Sequence, residues 1–234
     1  MAMMPRIKRL LAQPTSASKV GLRRESAHTP TINVMQEDAL RAVLMENPND
    51  ENAFRALVEL VKRNCASDSE NSADPLKAES TGEEPVLDPQ DYEARANLSV
   101  WALAEELSGH PKAWFPVIEL ARLSLDESPG EALRRLTAAV SRDPSGRALE
   151  RSIELLLDKG LASEAYNLGL GLWRPNDHPA ETGISVVRAA LVSQRSLDAQ
   201  REYNKLIEHS GADEVRALDP DLEKEIEELH ADSR

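Results

Sequence analysis

The sequence predicts an all-α fold, a helical-hairpin solenoid of about ten helices, on three observations. Pro111, Pro144 and Pro179 open successive lines of sequence and stand 33 and 35 residues apart. Ala132, Ala165 and Ala199 follow those prolines by 21, 21 and 20 residues. Each line carries two runs of apolar residues at i, i+3, i+4 spacing, the signature of paired amphipathic helices. Composition agrees: charged residues make up 29% and aromatics 3%, and no segment alternates Val, Ile, Thr and Tyr as strands do.

Taken in order, residues 1–35 read as a basic, disordered tail without a core of its own, rich in Ser and Thr and interrupted by Pro5, Pro14 and Pro30. Within it Ile7, Leu10 and Leu11 make a short apolar face beside Arg6, Lys8 and Arg9, suited to a weak anionic contact over residues 5–24. The same composition fits an organelle transit peptide, and Met35, followed at once by a helical pattern, offers a second start. Residues 36–64 form a hairpin. Leu40, Val43 and Leu44 share one face, Asn47-Pro48 ends the first helix, and Asp50 caps a second with Phe54, Leu57, Val58 and Val61.

Residues 65–90 carry seven acids against Lys77 alone, with Ser, Thr and Pro filling much of the rest. So few apolar groups do not repay the entropy of ordering, so a flexible acidic loop is expected, with Ser67, Ser69, Ser72, Ser80 and Thr81 as acceptors for phosphate. Residues 91–234 are the array. Leu98, Trp101, Ala102 and Leu107 mark its first helix, ended by Ser108-Gly109. Pro116 must lie in the first turn of the next, Ser128-Pro129 opens the third, and Gly160-Leu161 closes the fourth in a left-handed cap. Ala165, Leu168 and Leu172, then Ile184, Val187 and Leu191, then Ala199, Tyr203 and Leu206 mark three more. Asp219-Pro220 starts a last helix, apolar along Leu222, Ile226 and Leu229 and acidic elsewhere, as the end of an array requires.

The last 120 or so residues resemble the tetratricopeptide repeat (TPR) family, whose helices follow Trp-x2-Leu-Gly-x2-Tyr and then Ala-x3-Phe. Ala132-x3-Leu136 and Ala199-x3-Tyr203 keep the second pattern, and Ala165-x3-Gly169 loses its large residue. Val117-x2-Leu120-Ala121-x2-Ser124 is a fair match to the first. Glu150-x2-Ile153-Glu154 and Ser185-x2-Arg188-Ala189 place charge where Gly or Leu belongs. The resemblance implies a right-handed superhelix whose concave face, built from the first helices, takes an extended peptide or a partner helix. That register puts Arg122 and Arg151 toward the concave face, where each could hold a partner's carboxylate. Trp173, at a helix end beside Arg174-Pro175, is the third candidate contact; Trp101 and Trp114 sit on apolar stripes and read as core.

Residues 1–30 hold six basic residues and one acid, so the −13 total leaves −18 on the remainder. A body so acidic repels phosphate, and nucleic acid is not expected as its partner. One cysteine, Cys65, forms no intrachain disulfide and no Cys-based zinc site, and suits a reducing, cytoplasmic setting. No apolar run is long enough for a transmembrane segment. His28, His110, His178, His209 and His230 stand singly without metal-ligand spacing, and no phosphate loop or nucleophile motif occurs. The expectation is a non-enzymatic adaptor without cofactor or metal, binding a protein or peptide partner. The alternative is a regulatory or assembly subunit that joins a stable complex, or another copy of itself, through the 36–64 hairpin.

Overall fold

The computed structural model describes residues 29–71 and 89–232. The described residues form eleven helices and no strands: α1 (Thr29–Glu46), α2 (Glu51–Asn71), α3 (Pro89–Ser108), α4 (Phe115–Ser124), α5 (Pro129–Arg142), α6 (Arg147–Asp158), α7 (Ala162–Leu172), α8 (Ala180–Val192), α9 (Ser196–Ser210), α10 (Ala212–Leu218) and α11 (Leu222–Asp232). The chain divides into two compact units, Met1–Gln36 and Glu37–Arg234. The described part of the first is the opening of α1; the second holds the remaining helices around one connected apolar core running from Leu44 to Ile226.

Consecutive helices pack as pairs, α4 on α5, α6 on α7 and α8 on α9, and the first members of these pairs also pack on one another, α4 on α6 and α6 on α8. Equivalent helices of successive pairs start 32 to 34 residues apart, close to the period that the prolines set. The recurring alanines explain why the spacing is fixed. Ala132, Ala165 and Ala199 are all fully buried where paired helices meet, and any larger side chain there would push the helices apart. Pro116 lies in the first turn of α4, where its missing N–H costs nothing. Gly160 has φ +73°, and Leu161 N–H reaches back to Leu156 O at 2.8 Å, a Schellman closure of α6. Asp50 caps α2 through Ala53 N–H at 2.9 Å.

Apart from the stripe of α3, the structure departs from the sequence reading at four places. Helix α1 starts at Thr29, inside the stretch expected to be tail, with Pro30 in its first turn, where proline is tolerated. Helix α2 continues to Asn71, so Cys65–Asn71 is helical backbone and not the start of a loop; α3 begins at Pro89, which serves as a first helical residue. The part of the acidic loop from 72 to 88 and the basic tail from 1 to 28 lie outside the described residues. An extra helix, α10, follows Gly211 (φ +88°); its seven residues are too few to show a period. The fourth concerns α7. There Tyr166, Ala165 and Gly169 are buried, while Leu168 and Leu172 are half-buried. The buried face is therefore turned relative to Ala165, Leu168 and Leu172, because Tyr166 supplies the bulk and Gly169 the room.

The hairpin face of α2 is covered within the chain. Phe54 is 1% exposed, Leu57 is fully buried, and the Phe54 ring meets Phe115 of α4 edge-on at 5.4 Å. Val58 and Val61 of the same face are half-buried against the core. At the other end Leu222 and Ile226 of α11 are buried, with Glu223, Glu225, Glu227 and Glu228 exposed. The apolar stripe packs on α8 and α9 and the acids face water.

Candidate functional site

Helix α3 carries two apolar stripes. Ala96, Val100, Leu103 and Ala104 are buried in the core. Leu98 and Trp101, displaced around the helix by roughly 100–200° from Val100 at 100° per residue, lie off that face; Leu98 is 69% exposed and Trp101 half-buried. They line an open groove of about 610 Å³ whose other wall comes from Leu123 and Ser124 at the end of α4 and from Glu131 and Arg135 of α5. Glu93, Glu127 and Glu131 stand around it.

Arg135 fixes the floor. Its guanidinium lies 4.9 Å from the centre of the Trp101 ring, Nη1 donates to Ser124 Oγ at 2.9 Å, and Nη2 stands 3.6 Å from Glu131. Ser124 Oγ donates in turn to Leu120 O at 2.9 Å. Glu131 is shared between Arg134 and Arg135. Glu93 and Glu127 have no ion-pair partner among the described residues. The groove thus has an aromatic and aliphatic floor, one positive charge already engaged, and two unneutralised carboxylates at its rim.

The three contacts expected from sequence lie elsewhere. Arg122 of α4 bonds Glu119 at 2.8 Å. Arg151 of α6 bonds Glu154 at 2.8 Å and Glu51 of α2 at 3.0 Å, and those carboxylates raise its pKa further above the ordinary arginine value, first through Glu154. Both arginines are therefore engaged with acids of this chain. Trp173 caps the end of α7, and its ring faces Gly183 of α8, where an added Cβ would meet Trp173 Cζ2 at 2.8 Å. Its Nε1 is buried without a hydrogen-bond partner among the described residues. No described hydrogen bond or ion pair joins Arg122, Arg151 and Trp173 to one another.

Leu98 and Ala102, both exposed, are the residues that sequence reading misplaced by assigning them with Trp101 and Leu107 to a single core stripe; Trp101 and Leu107 are partly buried against the core. The signal was present as a competing one: Ala96, Val100, Leu103 and Leu107 follow i, i+4, i+7, i+11, and a helix with two stripes has one to spare.

Other polar groups inside the array serve the fold. His178 is 7% exposed, and its Nδ1 accepts the Arg174 N–H at 3.3 Å. Burial, then Arg174, holds its pKa below the ordinary histidine value, so a neutral imidazole caps that turn. Tyr166 is fully buried; its hydroxyl accepts from Arg201 at 3.0 Å, the Arg195 guanidinium lies 5.1 Å from its ring, and burial pushes its pKa up. A phenol so held stays protonated near neutrality. Among the described residues no His, Cys, Asp and Glu group has the arrangement of a metal site, and no helix is long and apolar enough to cross a membrane.

Fold and groove together define a class: an all-helical chain of consecutively packed helix pairs with an open, acid-rimmed side groove. Compared with protein-family models, curated proteins and solved structures, the chain has no match.

Proposed function

We infer that this chain is a non-catalytic protein–protein interaction scaffold, a solenoid of TPR-like hairpins that holds a peptide or helix of a partner protein. The observation that carries the reading is the second stripe of α3. A helix that buries Val100 and Leu103 in its own core and still presents Leu98, with part of the half-buried Trp101 beside it, to an open groove has an apolar surface to cover. The groove falls within the roughly 300–1,000 Å³ of small-molecule pockets, but it is open along its length. A small ligand would keep much of its surface in water there, whereas a partner protein closes the groove from outside. The contact surface on this reading is the α3–α4–α5 groove, since Arg122 and Arg151 already hold acids of the chain.

Affinity capture with the full chain, run beside Leu98→Glu, tests the reading. Leu98 is exposed, so the substitution leaves the core intact, and the two proteins should show the same helical circular dichroism and melting. A partner retained by the parent and lost from Leu98→Glu is the expected result. The same retention by both proteins would remove the groove from the function.

A further inference from the structure

We propose that the groove between α3 and the α4–α5 hairpin takes a basic amphipathic helix of a partner protein, seating aliphatic side chains on Leu98 and Trp101 and lysines or arginines against Glu93 and Glu127. The proposal rests on the interaction reading above and adds the chemistry of the partner.

Three observations select that occupant. The first is charge. Glu93 and Glu127 have no cation among the described residues, while the one guanidinium on the floor, Arg135, is engaged by Trp101, Ser124 and Glu131. A ligand entering the groove meets uncompensated negative charge, and only a cationic one gains from it. The chain as a whole stands at −13, which repels acidic peptides, nucleic acid and anionic lipid on approach.

The second is the floor. Leu98 is exposed, and Trp101 one helical turn on is half-buried between the core and Arg135 and leaves only part of its ring to the groove. They ask for aliphatic or aromatic side chains at matching spacing, which a polybasic segment without anchors lacks. The third is the backbone. The walls of the groove are α3, α4, α5 and the turn at 125–128 that joins the last two, so among the described residues there is no strand edge to pair with an extended peptide. An extended segment would bring unpaired N–H and C=O groups into the groove. A helix brings none and lays a side-chain stripe along the floor.

Binding of synthetic peptides to the full chain, followed by fluorescence anisotropy, tests this. The probes are a labelled leucine–lysine amphipathic helix, its leucine–glutamate counterpart and a serine–lysine peptide without anchors. The leucine–lysine peptide should bind, and more weakly as salt rises. The paired variant Glu93→Lys with Glu127→Lys, which turns two exposed rim attractions into repulsions, should weaken it about tenfold; the serine–lysine peptide should bind at least as poorly. Leucine–glutamate binding as tight as leucine–lysine, or no effect of the paired reversal, overturns the basic partner. If both leucine peptides then still depend on Leu98, the groove remains an interaction site and only the charge assignment falls. If Leu98→Glu alters neither, the groove reading falls with it. Sedimentation of the chain alone covers the remaining occupant: self-association abolished by Leu98→Glu makes the partner a second copy and overturns the proposal.

Discussion

The side-chain carbonyl of Asn49 lies 2.8 Å from the backbone nitrogen of Trp114 and 3.0 Å from that of Phe115. Asn49 sits in the α1–α2 turn, so a residue sixty-five positions away caps the first turn of α4, whose own N-cap residue, Trp114, has no side chain able to do so. The amide nitrogen of Asn49 donates to Lys112 O at 2.8 Å and closes the fork. Asn49→Ala should cost about 1–2 kcal/mol, the usual value of a lost cap. Asn49→Asp keeps the acceptor and loses the donor, so it should fall between the two. Urea unfolding of the three proteins checks the order; an Asn49→Ala midpoint equal to the parent's would detach the 36–64 hairpin from the energetics of the array.

Two glycines in α7 should respond oppositely to alanine. At Gly169 an added Cβ would stand 2.8 Å from Val186 Cγ2 and 3.3 Å from Ile153 Cδ1, inside the contact with α6 and α8. At Gly171 it meets nothing within 4 Å. Gly169→Ala should destabilise by roughly 1–3 kcal/mol through overpacking, and Gly171→Ala should stabilise by about 0.5–1 kcal/mol by restricting the unfolded chain. Thermal melting reads both signs directly.

This contrast marks what the sequence could disclose. The period is legible because Ala132, Ala165, Ala199 and the prolines in the turns before α4, α6 and α8 act locally and recur. Gly160 and Pro116 are legible for the same reason, each having one backbone conformation that suits it. Gly169 looks like a lapse from the repeat, because its reason, the bulk of Val186 and Ile153, comes from other helices. Tyr166 is hidden for the matching reason. The groove is the hardest to read: that Trp101 lies under Arg135, thirty-four residues on, depends on how α3 is turned, and its two overlapping stripes allow two rotations. Arg122 and Arg151 do stand on helix surface, but their acidic partners, Glu51 above all, follow from packing.

His178 should make stability depend on pH. Its surroundings are Arg174, which lowers its pKa together with the larger effect of burial, and Asp177 and Asp143, which oppose them; the balance is downward. The unfolded chain, with a histidine pKa of about 6.5, therefore binds a proton more readily than the folded one. Stability from this residue is fully present above that value and declines as pH falls from about 6.5 toward the lower folded pKa. His178→Gln keeps an acceptor for the Arg174 N–H and cannot titrate there, so its unfolding midpoint should fall less between pH 7 and pH 5.5 than the parent's, values chosen to straddle about 6.5. Parallel declines would assign the acid sensitivity to other groups.

Arg188 stands where the TPR pattern would place a leucine, and the structure gives the charge a task. Its Nε and Nη2 reach Asp219 Oδ2 at 2.8 and 2.6 Å, and Asp219, only 7% exposed, lies between α10 and α11. The pair ties α8 to the closing helices, beside the apolar contact of Leu222 and Ile226. Arg188→Leu would leave a buried carboxylate without its cation, so it should destabilise by about 1–3 kcal/mol, the cost of an unsatisfied buried group. Asp219→Ala should cost less, because Arg188 is 46% exposed and water can replace the carboxylate. The double variant should be no less stable than Arg188→Leu alone, since removing Asp219 removes the stranded charge. A double-mutant cycle in urea measures this. Strict additivity would mean that the ion pair contributes nothing, and that α10 and α11 are held by Val215, Leu222 and Ile226 alone.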